Sequence, residues 1–346
     1  RHAETENHVL MTETSRYLTN QLLYERALSR HENPAAWDNS KNGMEAWMLR
    51  HLQAFLRVDF SEYNSRPYQN HTVIAIETLY SFAQSPRVKE GAHLLLDYLS
   101  ARNATQSLDL RRAGPFRRQK KYRGVDNVLG GEGQGGRYSV LAGNYGLFFD
   151  ALESEYQVTP GGHVALLASS ATYRIAPAIL DLFFERGEGF LQRVNGQAYE
   201  AYYISPSFML VAGGIYKNYH DYGTAENDGW AEATALMPAG KGLLRSGFIR
   251  FLGHRNMKKR NNSCVARGFA CGASPVVPAA IPRSCAERRL DVEGFWDFFD
   301  FSKEGCNPTV GTGGYYVALY RAPCRDDICR DGGGDFGFLE VREAAK

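Results

Sequence analysis

A chain of 346 residues is longer than one hydrophobic core usually serves, and 44% hydrophobic with 23% charged residues is the composition of a packed protein, not a disordered one. Forty Lys and Arg against 38 Asp and Glu give a net charge of +2, which argues against a nucleic-acid partner and leaves any anionic partner to a local basic patch. No apolar run is long enough to cross a bilayer, so no membrane span is expected.

The chain opens at Arg1 almost directly on a polar cluster, Glu6-Asn7-His8, and this start reads as a processed or trimmed end. From Thr5, a candidate N-cap, to Leu28 the residues Leu10, Met11, Tyr17, Leu18, Leu22 and Leu23 recur at helical spacing. Residues 31–41, with Pro34, read as a loop. A second helix begins near Gly43, its face marked by Met44, Trp47, Met48, Leu52 and Phe55. Next, residues 59–83 place Tyr63, Asn64, Arg66, Tyr68, Asn70 and His71 in a short polar run that turns abruptly apolar, predicting a buried third helix over 68–83. Ser85-Pro86 supplies an N-cap with Pro at the first helical position, and Val88, Ala92, Leu95, Leu96 and Leu99 carry a fourth helix.

Residues 102–123 hold seven further Lys and Arg, from Arg111 to Arg123, and read either as a solvated loop or as an anion-facing lid. GGEGQGG at 130–136 lacks the Gly-Lys-Ser/Thr ending of a phosphate-binding loop. Its glycines leave Arg137 and Tyr138 aimed from a tight turn. Helical patterns recur at 144–156 and 163–185, the second broken before Pro177 and stopped at Gly187. The period then changes to two, and 198–205, 207–216, 243–252, 295–301, 314–321 and 335–342 read as strands. Helices first and strands second predict an α+β protein, with a helical domain over 1–187 and an antiparallel β-sheet or sandwich domain over 188–346.

All six cysteines, Cys264, Cys271, Cys285, Cys306, Cys324 and Cys329, fall in the last third without a C-x-x-C pair. That favours disulfides over zinc and an extracellular or cell-surface setting, with the pairing open. Sequons at Asn70, Asn103 and Asn261 agree with an exported glycoprotein. The acidic Asp326, Asp327, Asp331 and Asp335 match no complete calcium loop, so no metal or cofactor is called for. There is no G-x-S-x-G, no H-E-x-x-H and no dinucleotide fingerprint followed by an acidic residue.

What remains is Asn, His, Tyr and Arg. Elimination from a uronic acid needs those types: an amide, imidazole or guanidinium to offset the substrate carboxylate, and a Tyr or His to move the proton. Glycoside hydrolysis needs two converging carboxylates instead, for which Glu6, Asp59 and Glu62 are the candidates.

The segments Thr5–His8 and Arg16–Leu22, the Ser65-Arg66-Pro67-Tyr68 run followed by Leu79–Ala83, the Gly136-Arg137-Tyr138 turn and the stretch Asn262–Gly272 together resemble bacterial secreted proteins similar to (α/α)-toroid polysaccharide lyases of the heparinase, alginate and chondroitin lyase kind. The resemblance implies an incomplete α/α toroid closed on one side by a β-sandwich, with an acidic polysaccharide as partner. It implies Asn7 and His8 as charge neutraliser and base, Tyr68 as acid or base, and Arg137 with Tyr138 at the substrate carboxylate. Glu6, Tyr63, Asn64, Arg66 and His71 complete the expected substrate contacts. The rival expectation is a non-catalytic glycan-binding or surface protein, forming homo-oligomers or assembling through its β edges.

Overall fold

The computed structural model describes residues 5–60, 63, 68–108, 172–195, 198–216, 234–238, 249–251, 264–273, 275–277, 281–291, 293–306, 314–322 and 336–344. Five α-helices lie among them: α1 (Glu6–Ser29), α2 (Met44–Val58), α3 (Tyr68–Phe82), α4 (Pro86–Thr105) and α5 (Pro177–Phe184). Each helix arises where apolar residues return to one face. On α2, Met44, Met48, Leu52 and Phe55 are buried, and they meet Leu10, Tyr17, Ile76, Leu79, Leu95 and Leu99 in one core.

Contacts along these helices fix their directions. Ser85 beside Glu45, Gly91 against Leu52, and Arg102 on Asp59 show α2 and α4 running the same way. The turn at 83–85 folds α3 back against α4. On α1, Gln21 donates to the Phe82 carbonyl and accepts from the Gln84 N–H, so the end of α3 lies beside the middle of α1. The residues of α1 buried before Gln21 include Asn7, Leu10, Thr14 and Tyr17, and α3 is the main helix packed on α1. The two therefore run in parallel and begin at the same end of the layer.

Three local expectations change. Thr5 has the extended backbone of an N-cap, yet its hydroxyl donates to the Asn7 side chain and not to a helix N–H. Ser85 likewise donates to Glu45. In α3, which the sequence presents as apolar, Gln69, Thr72 and Glu77 are buried as well.

His51 sits between Trp47, stacked at 4.7 Å, and Phe55, edge-on at 4.8 Å. Burial holds its pKa below the ordinary imidazole value. The unfolded chain therefore binds the proton more readily, so stability is retained at neutral pH and lost as pH falls through about 6.5. His51→Phe should lose less melting temperature than the parent between about pH 7.5 and pH 5. Equal losses in thermal melts would show that His51 does not contribute.

The strands are β1 (Phe190–Asn195), β2 (Ala198–Ile204), β3 (Phe208–Tyr216), β4 (Thr234–Pro238), β5 (Arg250–Phe251), β6 (Cys264–Ala266), β7 (Phe269–Ala273), β8 (Pro275–Val276), β9 (Ala286–Asp291), β10 (Gly294–Asp300), β11 (Tyr315–Arg321) and β12 (Phe336–Glu343). They make two antiparallel six-stranded sheets, ordered β1-β2-β3-β4-β5-β8 and β6-β7-β12-β11-β10-β9. Tyr203, Phe208, Leu210 and Leu236 of the first sheet share a core with Phe299, Val317, Leu319 and Leu339 of the second. The opposite face of the first sheet, with Glu200, Tyr202, Ile204, Met209 and Val211, is also buried. Its Glu200 meets Arg102 of α4, so this sheet lies between the helices and the second sheet.

The strand pattern is only partly the expected one. Edge strand β9 reads AERRLD and is almost wholly exposed, so no hydrophobic alternation marks it. Strands β6 and β7 are short and rich in Cys and Gly. Within the expected 243–252 strand the described residues are 249–251, of which β5 takes the last two.

Among the described residues two disulfides form: Cys264–Cys271 joins β6 to β7, and Cys285–Cys306 ties the start of β9 to the turn after β10. Cys324 and Cys329 lie outside the described residues, as do the acidic tail and the Asn261 sequon. Asn103 is buried within α4, so its sequon offers no acceptor in the folded protein. Among the described residues no helix is long and apolar enough to cross a membrane.

Candidate functional site

At the end of α2 the chain leaves the helix through Asp59, whose φ of 69° is rare for a non-glycine residue. That turn aims the Asp59 carboxylate at the last turns of α4. There Arg102 continues the buried stripe of Leu95 and Leu99, so its guanidinium is carried into the interior.

Across the seam, β3 carries a β-bulge: Tyr199 and Glu200 of β2 are consecutive, but their partners are Ile215 and Gly213, which leaves Gly214 as the extra residue. Gly213 has a φ of +99°, and a Cβ there would meet the Tyr199 carbonyl at 2.1 Å. Only glycine allows this close approach. The alternation of β2 then leaves Tyr199 exposed and turns Glu200 inward, in phase with Tyr202.

These devices meet at one point. Arg102 donates from one terminal nitrogen to Asp59 Oδ1 at 2.5 Å and from the other to Glu200 Oε2 at 2.8 Å. The Tyr63 ring lies 3.4 Å beneath the guanidinium. Tyr98 donates to Asp59 and Tyr202 to Glu200, at 3.0 and 2.8 Å. Burial opposes the charge on Arg102, but Tyr63, Glu200, Asp59 and Tyr98 outweigh it and raise its pKa well above the usual value. Burial also pushes the Tyr98 phenol above its ordinary range, Asp59 adding to the shift and Arg102 opposing it, so Tyr98 remains a donor.

Just beyond, Arg186 clamps the same end of the layer. It donates to the carbonyls of Ala104 and Ser107 at the end of α4 and of Phe183 in α5. A cation on helix C-terminal carbonyls satisfies groups that would otherwise lack partners.

Of the sequence-derived candidates, Tyr63 is brought into this network and is sealed at 1% exposure. Glu6, Asn7 and His8 open α1, while Tyr68 and His71 occupy the first turn of α3. Both helices begin at the end of the layer that carries Asp59 and Arg102. Asn7 is buried, Glu6 and His71 are half-buried, and His8 is exposed. Asn64, Arg66, Arg137 and Tyr138 lie outside the described residues.

Sequence reading missed Arg102, taken there as the first residue of the basic run. The continuing 95, 99, 102 spacing was the available signal. Glu200 could have been noticed as a charge in phase with Tyr202 inside a strand.

A second polar cluster also went unnoticed. Tyr173, fully buried, donates to Asp97 at 2.8 Å and lies 3.0 Å from Ser100, with His93 Nε2 3.8 Å from Asp97. Tyr80 stacks on His93 at 5.1 Å. Burial above all holds the Tyr173 phenol protonated, with Asp97 and Glu77 adding to the shift. Its evident role is to fasten residues 172–176 to α4. Among the described residues no group of His, Cys, Asp and Glu is arranged to hold a metal ion.

No protein-family model, curated protein or solved structure matches this chain.

Proposed function

We propose that the protein is a secreted polysaccharide lyase-like enzyme that cleaves an acidic, uronate-containing glycan by β-elimination, its helical layer forming part of an α/α toroid. One observation carries this reading. The starts of α1 and α3, which hold Asn7, His8, Tyr68 and His71, fall at the same end of the layer as the Asp59–Arg102–Glu200 seam with the β-sandwich. In this reading the polymer lies along that end, across the helix starts and the edge of the seam.

In this reading Asn7 and the Arg137–Tyr138 pair offset the substrate carboxylate, which makes the neighbouring C–H acidic. His8 or Tyr68 removes that proton, the electron pair forms the new C=C bond, and the glycosidic C–O bond breaks. The leaving oxygen takes a proton from Tyr68 or Tyr138. No oxidant or metal is required. Arg102 is a positioning residue here: two carboxylates already balance it, and its contact with Tyr63 anchors the connection between α2 and α3. The hydrolytic alternative is less well supported, because Asp59 is engaged by Arg102 and Tyr98 and is not free to act as an acid. The two disulfides support an extracellular location.

Incubation with alginate, glucuronan and glycosaminoglycans should yield products whose new double bond absorbs in the ultraviolet. Silence on all of them from folded protein would overturn the proposal.

A further inference from the structure

The outer face of the second sheet, turned away from the sandwich core, is unusually aromatic. Registers place Trp296, Tyr320 and Phe338 side by side in one row across β10, β11 and β12. In the adjacent row Phe298 pairs with Ala318, and Ala318 with Glu340. The small Ala318 therefore leaves a notch in a field of larger side chains. It belongs to a groove of about 420 Å³ whose lining includes Phe298, Tyr316, Glu340 and Arg342. Phe298 and Tyr316 are 36% and 46% exposed on this outward face.

The charges around the notch are paired. Arg342 binds Glu340 at 2.7 Å, Arg289 binds Glu287 at 2.8 Å, and Lys303 lies 3.5 Å from Asp300. Three cations face three carboxylates, so the rim offers hydrogen-bond donors and acceptors but no net field. Such a rim does not attract a polyanion, which needs an excess of cations. The groove has the size of a small-molecule site, with apolar walls and a few polar groups.

We infer that this notch over Ala318 is a binding site for neutral sugar units of a polysaccharide. The apolar C–H face of a pyranose packs on Phe298 and Tyr316, and its hydroxyls bond to the Glu340–Arg342 and Glu287–Arg289 pairs. The site uses none of the residues at the helix–sheet seam, so it stands or falls independently of the elimination reaction. It would hold the protein on a matrix in which neutral and acidic chains lie together.

The test is affinity electrophoresis through gels containing galactomannan, xyloglucan or mixed-linkage β-glucan, with alginate as the charged control. At least one neutral polymer should retard the parent. Tyr316→Ala and the notch-filling Ala318→Gln should each weaken that retardation about tenfold, with thermal melts confirming that both remain folded. Free passage through every neutral gel, retardation by alginate alone, or retardation unchanged in both variants would overturn the inference. So would a dimer, seen by light scattering and dissolved by Tyr316→Ala, in a chain that binds no sugar, because the occupant would then be a second copy. Elimination activity on alginate is expected to be unaffected by either substitution.

Discussion

Arg102→Met is expected to destabilise the protein by about 3–5 kcal/mol, read from the urea unfolding midpoint. Asp59 and Glu200 are 5% and 3% exposed and both bind this guanidinium. Methionine fills much of the arginine volume, so lost packing is the smaller effect. The larger one is that two buried carboxylates lose the cation that lies between them. The same reasoning predicts a rescue: Asp59→Asn with Glu200→Gln in the Arg102→Met background should recover most of the loss, because a neutral buried set costs far less than a broken ionic one. A loss below about 1 kcal/mol would mean that the helices and the sandwich are held together by other contacts.

Asp297→Ala should cost about 2–3 kcal/mol, less than the first substitution. Asp297, 3% exposed, accepts from Arg288 at 2.7 and 3.3 Å and also from Arg321. Both guanidinium groups lie over the Phe295 ring, at 4.4 and 4.5 Å. Removing the carboxylate sets two cations against each other. They do not suffer equally, since the Arg288 side chain is 56% exposed and can turn to water, whereas that of Arg321 is 11% exposed and cannot. Arg321→Met in the Asp297→Ala background should therefore restore stability, while Arg288→Met should do little. The reverse order of rescue would contradict this assignment of the buried charge.

Helices α1 to α4 were legible because their apolar residues return every three or four positions and their starts carry Pro or small polar residues. The α+β order and the cysteine chemistry followed from composition in the same way. The seam was not legible. It depends on a helix running through Arg102 to Thr105, on a bulge in β3 at Gly213 and Gly214, and on a left-handed turn at Asp59, none of which has a periodic signature. Charged residues at buried positions invert the usual reading of a sequence, so Arg102 read as the start of a basic run, and Glu200 and Asp297 carried no signal of their own. Strand β9 erred in the opposite direction, since an edge strand with both faces wet carries no apolar alternation. For the candidate site, local sequence found the polar run, but which helix ends lie together is a property of packing across residues far apart in the chain.

The elimination reading is tested most directly by comparing turnover of a polyuronate by the parent and by Tyr68→Phe, each also assayed for binding to the same polymer. A proton-transfer role predicts unsaturated product from the parent, a loss of about 100-fold or more in the variant, and nearly unchanged binding. Product formed equally by both, or by neither while both are folded, would contradict it.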